Sequence, residues 1–225
     1  MIASLLLKIF ATTGLASSLS SNTGRSPFMI SPRLQLSARF LSLKAKSVGV
    51  EDVLASPQFP PEWPFTDADF SRQDDTNDGN FYSSPRFCFH VDDKAVAALT
   101  DYYSVEFPKW EKPAILDMCA SHVSHFPADV ADYAGRRVAL GMSEEELCEN
   151  GQVDEFVVKD LNVDSTLPFP DNSFDIVTNA VSIDYLNSPL EICKEVARVL
   201  KPGGAAMFAL SNRCFPTKAI NLWLR

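Results

Sequence analysis

From Asp92 onward the chain alternates two hydrophobic rhythms. In DDKAVAALTDYY (92–103), Ala95, Val96, Leu99, Tyr102 and Tyr103 recur at helical spacing behind an Asp cap, which predicts an amphipathic helix. Short apolar runs then predict strands at Ala114–Met118, Arg137–Gly141, Glu155–Val158, Phe174–Asn179 and Ala205–Leu210. The stretches between them carry helix caps. Ser143 with Glu146 reads as a capping box, and Ser188 followed by Pro189 and Glu191 reads as another. The second of these helices is expected to bury Leu190, Cys193, Val196, Ala197 and Leu200. It should stop at Lys201-Pro202-Gly203-Gly204, because Pro and Gly do not continue a helix. Strands joined by helical crossovers predict a parallel, Rossmann-like doubly wound α/β sheet, with its ligand at the carboxyl ends of the strands.

Upstream of Asp92 the rhythm is lost. Pro57, Pro60, Pro61 and Pro64 precede an Asp-rich stretch from Asp67 to Asp78, so an irregular lead-in packed through Trp63, Phe65 and Phe70 is expected. Lead-in and first helix together make up residues 51–111, and the sheet domain residues 112–225. Residues 2–16, IASLLLKIFATTGLA, are apolar but broken by Lys8, too short and interrupted to cross a hydrocarbon core of ~30 Å. Residues 17–47 are Ser-rich, hold Arg25, Arg33, Arg39, Lys44 and Lys46, and lack any acid, which is the composition of a transit peptide. Residues 1–50 are therefore expected to be a targeting presequence. An apolar start ahead of a transit-like stretch resembles the two-part signal of algal plastids, and a mitochondrial presequence is the alternative. No transmembrane segment is expected in the body.

Charge changes the picture of possible partners. The chain of 225 residues has 20 Lys+Arg against 29 Asp+Glu, a formal −9, but residues 1–50 hold six bases and no acid. The body thus sets 14 bases against 29 acids, a net −15. So acidic a surface is a poor match for a phosphate backbone, which argues against a nucleic-acid partner. At 46% hydrophobic and 22% charged residues, disorder is excluded as the dominant state. The five cysteines show no repeated spacing, so no disulfide framework is expected and a reducing compartment suits the body.

The most specific string is KDLNVDSTLPFPDNSFDIVTNAVSIDYLNSPLEICKEVARVLKPGG, residues 159–204. It resembles class I S-adenosylmethionine-dependent methyltransferases of the type 11 group: an acid ends the third strand, LPFPDNSFD leads into the fourth, and a helix closes with RVLKPGG. The resemblance covers about residues 112–215. It implies S-adenosyl-L-methionine as cofactor and a small-molecule or protein methyl acceptor. Asp117, Cys119, Ser121, Gly141, Asp160, Leu161 and Asn179 would lie around the cofactor, with Asp160 accepting from the adenine amino group and Leu161 offering a backbone contact and an apolar face. The superfamily ordinarily adds two further strands, so the sheet is expected to lack its last two, leaving the fifth strand an open edge.

Two positions depart from the family pattern. The glycine-rich loop is replaced by Met118-Cys119-Ala120-Ser121-His122-Val123, although glycines serve such loops by permitting positive φ and close approach. Ser121 could donate its hydroxyl to the methionine carboxylate. The run LDMCASHVSHFP, with FYSSPRFCFHVDD upstream and SNRCFPTKAI downstream, resembles a plant, algal and cyanobacterial branch in which a Cys-Ser-Ser type loop stands in place of the glycines. At the end of the second strand, Gly141 occupies the position of the usual ribose-binding acid, so Glu144 or Glu145 would have to reach back.

Methyl transfer is an in-line displacement that demands positioning rather than a fixed catalytic residue. For a weakly acidic acceptor a base helps, and His122, His125, Asp184 and Tyr185 are candidates, with Asn179 and Asn212 as orienting groups. Arg86 and His90 lie in a segment that could lid the pocket. Other readings compete. Cys119, His122 and His125 form a C-x2-H-x2-H run, but no fourth ligand at matching spacing supports zinc. Ser121 lacks the flanking glycines of a hydrolase nucleophile elbow. A methyltransferase-like fold without cofactor, serving as an interaction or assembly module, is the principal alternative.

Overall fold

The computed structural model describes the backbone of residues 5–10 and the whole of residues 60–225. Most of the expected presequence therefore lies outside the described residues. Six strands form one sheet: β1 (Leu5–Phe10), β2 (Ala114–Met118), β3 (Arg136–Gly141), β4 (Glu155–Val158), β5 (Phe174–Ala180) and β6 (Leu200–Leu210). The helices are α1 (Asp67–Phe70), α2 (Asp78–Phe81), α3 (Asp93–Glu106), α4 (Val130–Tyr133), α5 (Glu144–Cys148) and α6 (Pro189–Val199). Across the sheet the order is β1-β6-β5-β2-β3-β4, with β2 to β6 all parallel. The order reverses between β2 and β5, which is the switch point of a doubly wound sheet and its usual ligand crevice.

The period-2 alternation of β2 divides the core between the two faces. Ile115 packs with Ile176, Ala205 and Met207 beneath Leu99, Tyr102 and Tyr103 of α3. Leu116 and Met118 pack with Val138 and Leu140 beneath Ile192, Val196 and Val199 of α6. α3 begins as expected, the Asp92 carboxylate accepting from Ala95 N at 3.1 Å.

α6 differs from expectation in its face and its cap. Ile192, Val196 and Val199, at i, i+4 and i+7, are buried, whereas Leu190, Cys193 and Ala197 are exposed. Full burial of each of the three contributes about 1.5–3 kcal/mol. Ser188 makes no cap bond; its hydroxyl donates to Asn187 Oδ1 at 3.3 Å, and Pro189 at the first turn starts the helix without one.

The LPFPDNSF string has a mechanical role. Arg198 of α6 donates to Leu167 O at 2.9 Å, to Phe169 O at 2.8 Å and to Asp171 Oδ1 at 2.8 Å. Glu195, paired with Arg198, accepts from Leu167 N at 2.8 Å. The signature thus clips the entry of β5 to the helix that follows it.

At the far edge, β1 runs antiparallel to β6, pairing Leu5 with Leu210 and Phe10 with Ala205. The edge of β6 expected to stand open is therefore lined by backbone from the chain's first residues. β4 forms the opposite edge, with Phe156 and Val158 exposed. Among the described residues no helix is long and apolar enough to cross a membrane.

The lead-in is tied down by charge. Arg72, Asp78 and Lys218 are all buried; Arg72 Nη1 lies 2.8 Å and Lys218 Nζ 3.1 Å from the Asp78 carboxylate. Asn162 Nδ2 also donates to Asp78 at 2.8 Å, and Asn221 N donates to Ser71 O at 2.9 Å. Trp63, Phe65 and Phe70 pack together with ring centroids 5.0–6.1 Å apart.

Candidate active site

Because β2, β3 and β5 are parallel, their carboxyl ends at Met118, Gly141 and Ala180 lie on one side of the sheet. A cavity of about 640 Å³ opens there, within the usual range for a small-molecule site. It is enclosed by the loop after β2, by Val181 and Ser182 after β5, by the lead-in at Phe81–Val91, and by Asn212–Pro216. Beside it lies a recess of about 60 Å³ formed by Asp160, Leu161 and Asn162 after β4, Gly141 and Met142 after β3, and Asp78. Tyr82, Cys119, Ala120, Met142, Ser182 and Tyr185 line both spaces, which therefore lie side by side.

The loop after β2 takes the path of a glycine loop without its glycines. Cys119 has φ 60°, and Ala120 N donates to Leu140 O at 2.8 Å. A side chain in the left-handed region costs roughly 1–2 kcal/mol. His125, at φ 55°, and Val181, at φ 47°, are bent the same way, so all three sit in strained conformations on the cavity wall. After Ser121 the chain stays irregular to the single turn α4. It is held by amides. Asn150 Nδ2 donates to Ser121 O and Ser124 Oγ, each at 2.9 Å, and Gln152 Nε2 donates to Phe126 O at 2.8 Å.

Gly141 now has a physical explanation. A Cβ built on it would fall inside the envelope of the Ala120 carbonyl oxygen and 3.3 Å from Leu147 Cδ2. The position of the ribose-binding acid has no room for a side chain because the variant loop lies against it. Glu144 and Glu145, which would have to reach back, are exposed and line neither space.

Glu146 plays a part that its capping role concealed. Ser143 Oγ does accept from Glu146 N at 3.3 Å, but the Glu146 carboxylate turns away from the cap into the cavity. There it accepts from Ser121 Oγ at 2.5 Å and from Arg86 N at 2.7 Å, tying loop and lead-in together. With its one proton given to Glu146, Ser121 meets His122 Nδ1, at 3.1 Å, as an acceptor. Ser121 is thus already engaged, and donation to a cofactor carboxylate would require it to leave Glu146.

Burial sets the protonation states. Asp117 is 3% exposed and accepts from Thr178 Oγ1 at 2.8 Å; its burial pushes the carboxyl up to about 7, against the hydrogen bonds of Ser124 and Thr178. Burial and the nearby Asp117 hold Cys119 as a thiol, pushed up to about 12. The chain's three histidines, His90, His122 and His125, all line the cavity. Burial, reinforced by His122 and His90, lowers His125 to about 4, and His90 is also lowered by burial. Both rings are therefore neutral at neutral pH.

The remaining expected residues divide between wall and interior. Asp160 and Leu161 line the recess; Asp160 Oδ1 accepts from Asn162 N at 2.8 Å. Tyr185 lies on the shared wall, its hydroxyl accepting from Phe215 N at 3.0 Å, and burial raises its pKa. Asp184 is buried outside the cavity wall, and burial pushes it up to about 7. Asn179 is likewise interior, with Nδ2 donating to Met118 O at 3.0 Å and Oδ1 left without a partner among the described residues. Asn212 and Arg86 line the cavity. Among the described residues no group of three or more side chains could hold a metal ion.

The donor set suits S-adenosylmethionine at two of three points. Asp160 and Leu161 offer an acceptor and an apolar face in the recess, and the Glu146 carboxylate suits an ammonium or a sulfonium in the larger cavity, where a cation would also favour ionisation of Asp117. The ribose end meets no carboxylate at Gly141.

Comparison with known proteins gives residues 119–208 as a match to the methyltransferase domain family model. A malonyl-[acyl-carrier protein] O-methyltransferase of Marinomonas is 44% identical over 51 residues, 22% of this chain and 19% of that protein. A demethylmenaquinone methyltransferase of Bacillus licheniformis is 53% identical over 38 residues, 17% of this chain and 16% of that protein. The chain thus covers less than a fifth of the length of these curated relatives. Among solved structures, an S-adenosylmethionine-dependent methyltransferase from Mesorhizobium loti aligns with 49% of this chain and 52% of its own, at 20% identity and TM-score 0.41. A protein from Pyrococcus horikoshii aligns with 56% of this chain and 62% of its own, at 26% identity and TM-score 0.41.

Proposed function

We propose that the protein is an S-adenosylmethionine-dependent methyltransferase acting on a small-molecule or protein acceptor. The observation that carries the reading is the shared wall at Cys119 and Ala120, where the Asp160 recess adjoins the large cavity within the stretch that matches the methyltransferase domain. When bound, the cofactor supplies an electrophilic sulfonium methyl. Asp160 would accept from the adenine amino group and Leu161 would pack against the ring. The left-handed turn at Cys119 would serve where a glycine usually does. Glu146 would provide negative potential for a sulfonium or an ammonium, and a cation beside Asp117 would favour its ionised form.

The residues of the large cavity then orient the acceptor toward the methyl, and alignment is the main source of rate. His125 lines the cavity and is neutral, which makes it the candidate base for a weakly acidic nucleophile; its Nδ1 is buried without a partner among the described residues, so the ring would have to turn to present that nitrogen. With the imidazole held near 4, the base is weak and suits an acceptor whose proton leaves late in the transfer.

The test is calorimetric titration of the full chain and of Asp160→Ala with S-adenosylhomocysteine. Wild type should bind, and the variant should bind at least tenfold more weakly. Equal affinities would refute the adenine assignment. The engaged Ser121 and the crowded Gly141 favour a second reading, a non-catalytic assembly module. Absence of heat and of any thermal shift at millimolar ligand would establish that reading instead. We further propose a plastid location, supported by the acid-free, Ser-rich composition of residues 17–47.

A further inference from the structure

The large cavity is walled by rings. Phe81 and Phe215 meet edge to face at 5.2 Å, and His90 stands edge-on to Phe215 at 5.7 Å. Across the space, Phe89 stacks parallel to His122 at 6.2 Å and meets His125 at 5.5 Å. Among these rings lies one partly buried cation. The Arg86 guanidinium lies over Phe81 at 4.2 Å from the centroid and 5.8 Å from that of Phe215, and spends one N–H on Phe81 O at 2.8 Å.

Arg86 forms no ion pair among the described residues. The nearby Glu146 carboxylate is occupied by Ser121 Oγ and by Arg86's own backbone N–H. Arg213, the other guanidinium on the wall, is half exposed and lies 4.0 Å from Asp92. Arginine has five N–H donors arranged to grip a carboxylate in two-point fashion, and all but one of the Arg86 side-chain donors have no hydrogen-bond partner among the described residues. Stacking on Phe81 fixes the plane of that fork at the cavity wall.

We infer that the acceptor half of the cavity binds a planar aromatic acid, its ring stacked among Phe89, His122 and Phe215 and its carboxylate paired with Arg86. This deepens the methyltransferase reading by naming its substrate class, but the site itself stands on the rings and the guanidinium. Arg86 is the partly buried cation of this wall with side-chain donors to spare, so selection for the anion falls to it. Apolar stacking and the charged contact act together: neither an aliphatic acid nor an uncharged aromatic satisfies both.

The probes are 2-naphthoate, 2-naphthalenemethanol and cyclohexanecarboxylate, titrated calorimetrically into the full chain at pH 7.5 with and without S-adenosylhomocysteine. The naphthoate should bind at least tenfold more tightly than either of the others. Arg86→Met should remove the preference for naphthoate over the alcohol while leaving the alcohol's affinity within twofold, and Arg86→Lys should restore part of it. Thermal melting of each variant establishes that it is folded. Equal binding of naphthoate and alcohol, or no binding of naphthoate at millimolar concentration, overturns the inference. So does an Arg86→Met variant that keeps its naphthoate preference but loses S-adenosylhomocysteine, since Arg86 would then serve the cofactor's carboxylate. If naphthoate binds as expected and S-adenosylhomocysteine does not bind, the aromatic-acid site stands and the methyl-transfer reading falls.

Discussion

Substituting Gly141 by Asp introduces the acid that the methyltransferase pattern usually places at the end of the second strand and that this chain lacks at the end of β3, and pattern alone predicts tighter cofactor binding. The structure predicts the reverse. Any Cβ at residue 141 meets the Ala120 carbonyl oxygen, which is held in place by the bond from Ala120 N to Leu140 O at 2.8 Å, with Leu147 Cδ2 on the other side at 3.3 Å. Relief requires moving the backbone of a loop already bent at Cys119, and overpacking of this kind costs about 1–3 kcal/mol. Gly141→Ala carries that cost alone. Gly141→Asp adds an acid at a buried position near Asp117, about 1–3 kcal/mol more for a polar group left unsatisfied. At roughly 2–4 °C per kcal/mol for a chain of this size, the melting temperature should fall by about 2–12 °C for Ala and further for Asp. Scanning calorimetry gives the stability, and titration with S-adenosylhomocysteine gives the affinity, which should drop with the displaced loop. An Asp variant as stable as wild type that binds more tightly would refute the coupling between loop and glycine.

Three further outcomes follow from the same geometry. Asp78→Ala leaves Arg72 and Lys218 buried without their shared carboxylate and should cost about 3–5 kcal/mol in urea denaturation, more than Lys218→Met, which leaves Asp78 paired with Arg72; the opposite ranking would show that the network is not organised around Asp78. Asp184 is raised from 3.8 to about 7, so the folded state holds its proton more tightly than the unfolded state, and its ionisation erodes stability as pH rises between about 4 and 7. Asp184→Asn should therefore gain roughly 1–3 kcal/mol relative to wild type on going from pH 4.5 to pH 8, and a difference independent of pH would contradict the buried assignment. A fluorescent protein fused after residue 60 should be delivered to plastids, and retention in the cytosol would remove the address reading of residues 1–50.

Much of the scaffold was legible because it rests on periodicity. β2 and β4 coincide with their expected bounds, and β3 and β5 differ by one residue each, since short apolar runs and flanking turns mark them, and β2, β3 and β5 are buried almost continuously. β6 begins at Leu200, five residues ahead of expectation, because Leu200 already pairs with Phe174; the Lys-Pro-Gly-Gly segment, with Gly203 at φ 82°, then bulges before pairing resumes between Ile176 and Ala205. The buried face of α6 was misjudged because Leu190 and Cys193 are as apolar as Ile192 and Val199; which stripe turns inward depends on the crossing over β5. Asp117, Asp160 and Tyr185, singled out in the sequence at strand ends or beyond them, line the cavity or its recess. Glu146 was hidden by its capping position, and Asn150 and Gln152 by their place in an ordinary surface turn. Their partners lie 25 to 29 residues away, or 60 in the case of Arg86, so no local pattern announces them.

The most direct measurement is hydrogen exchange of the full chain with and without saturating S-adenosylhomocysteine. A cofactor spanning the shared wall should slow exchange in three separated stretches, residues 117–123, 141–143 and 160–162, while leaving β1 and α6 unchanged. Protection confined to other parts of the chain, or none at any ligand concentration that saturates related binding assays, would contradict the account.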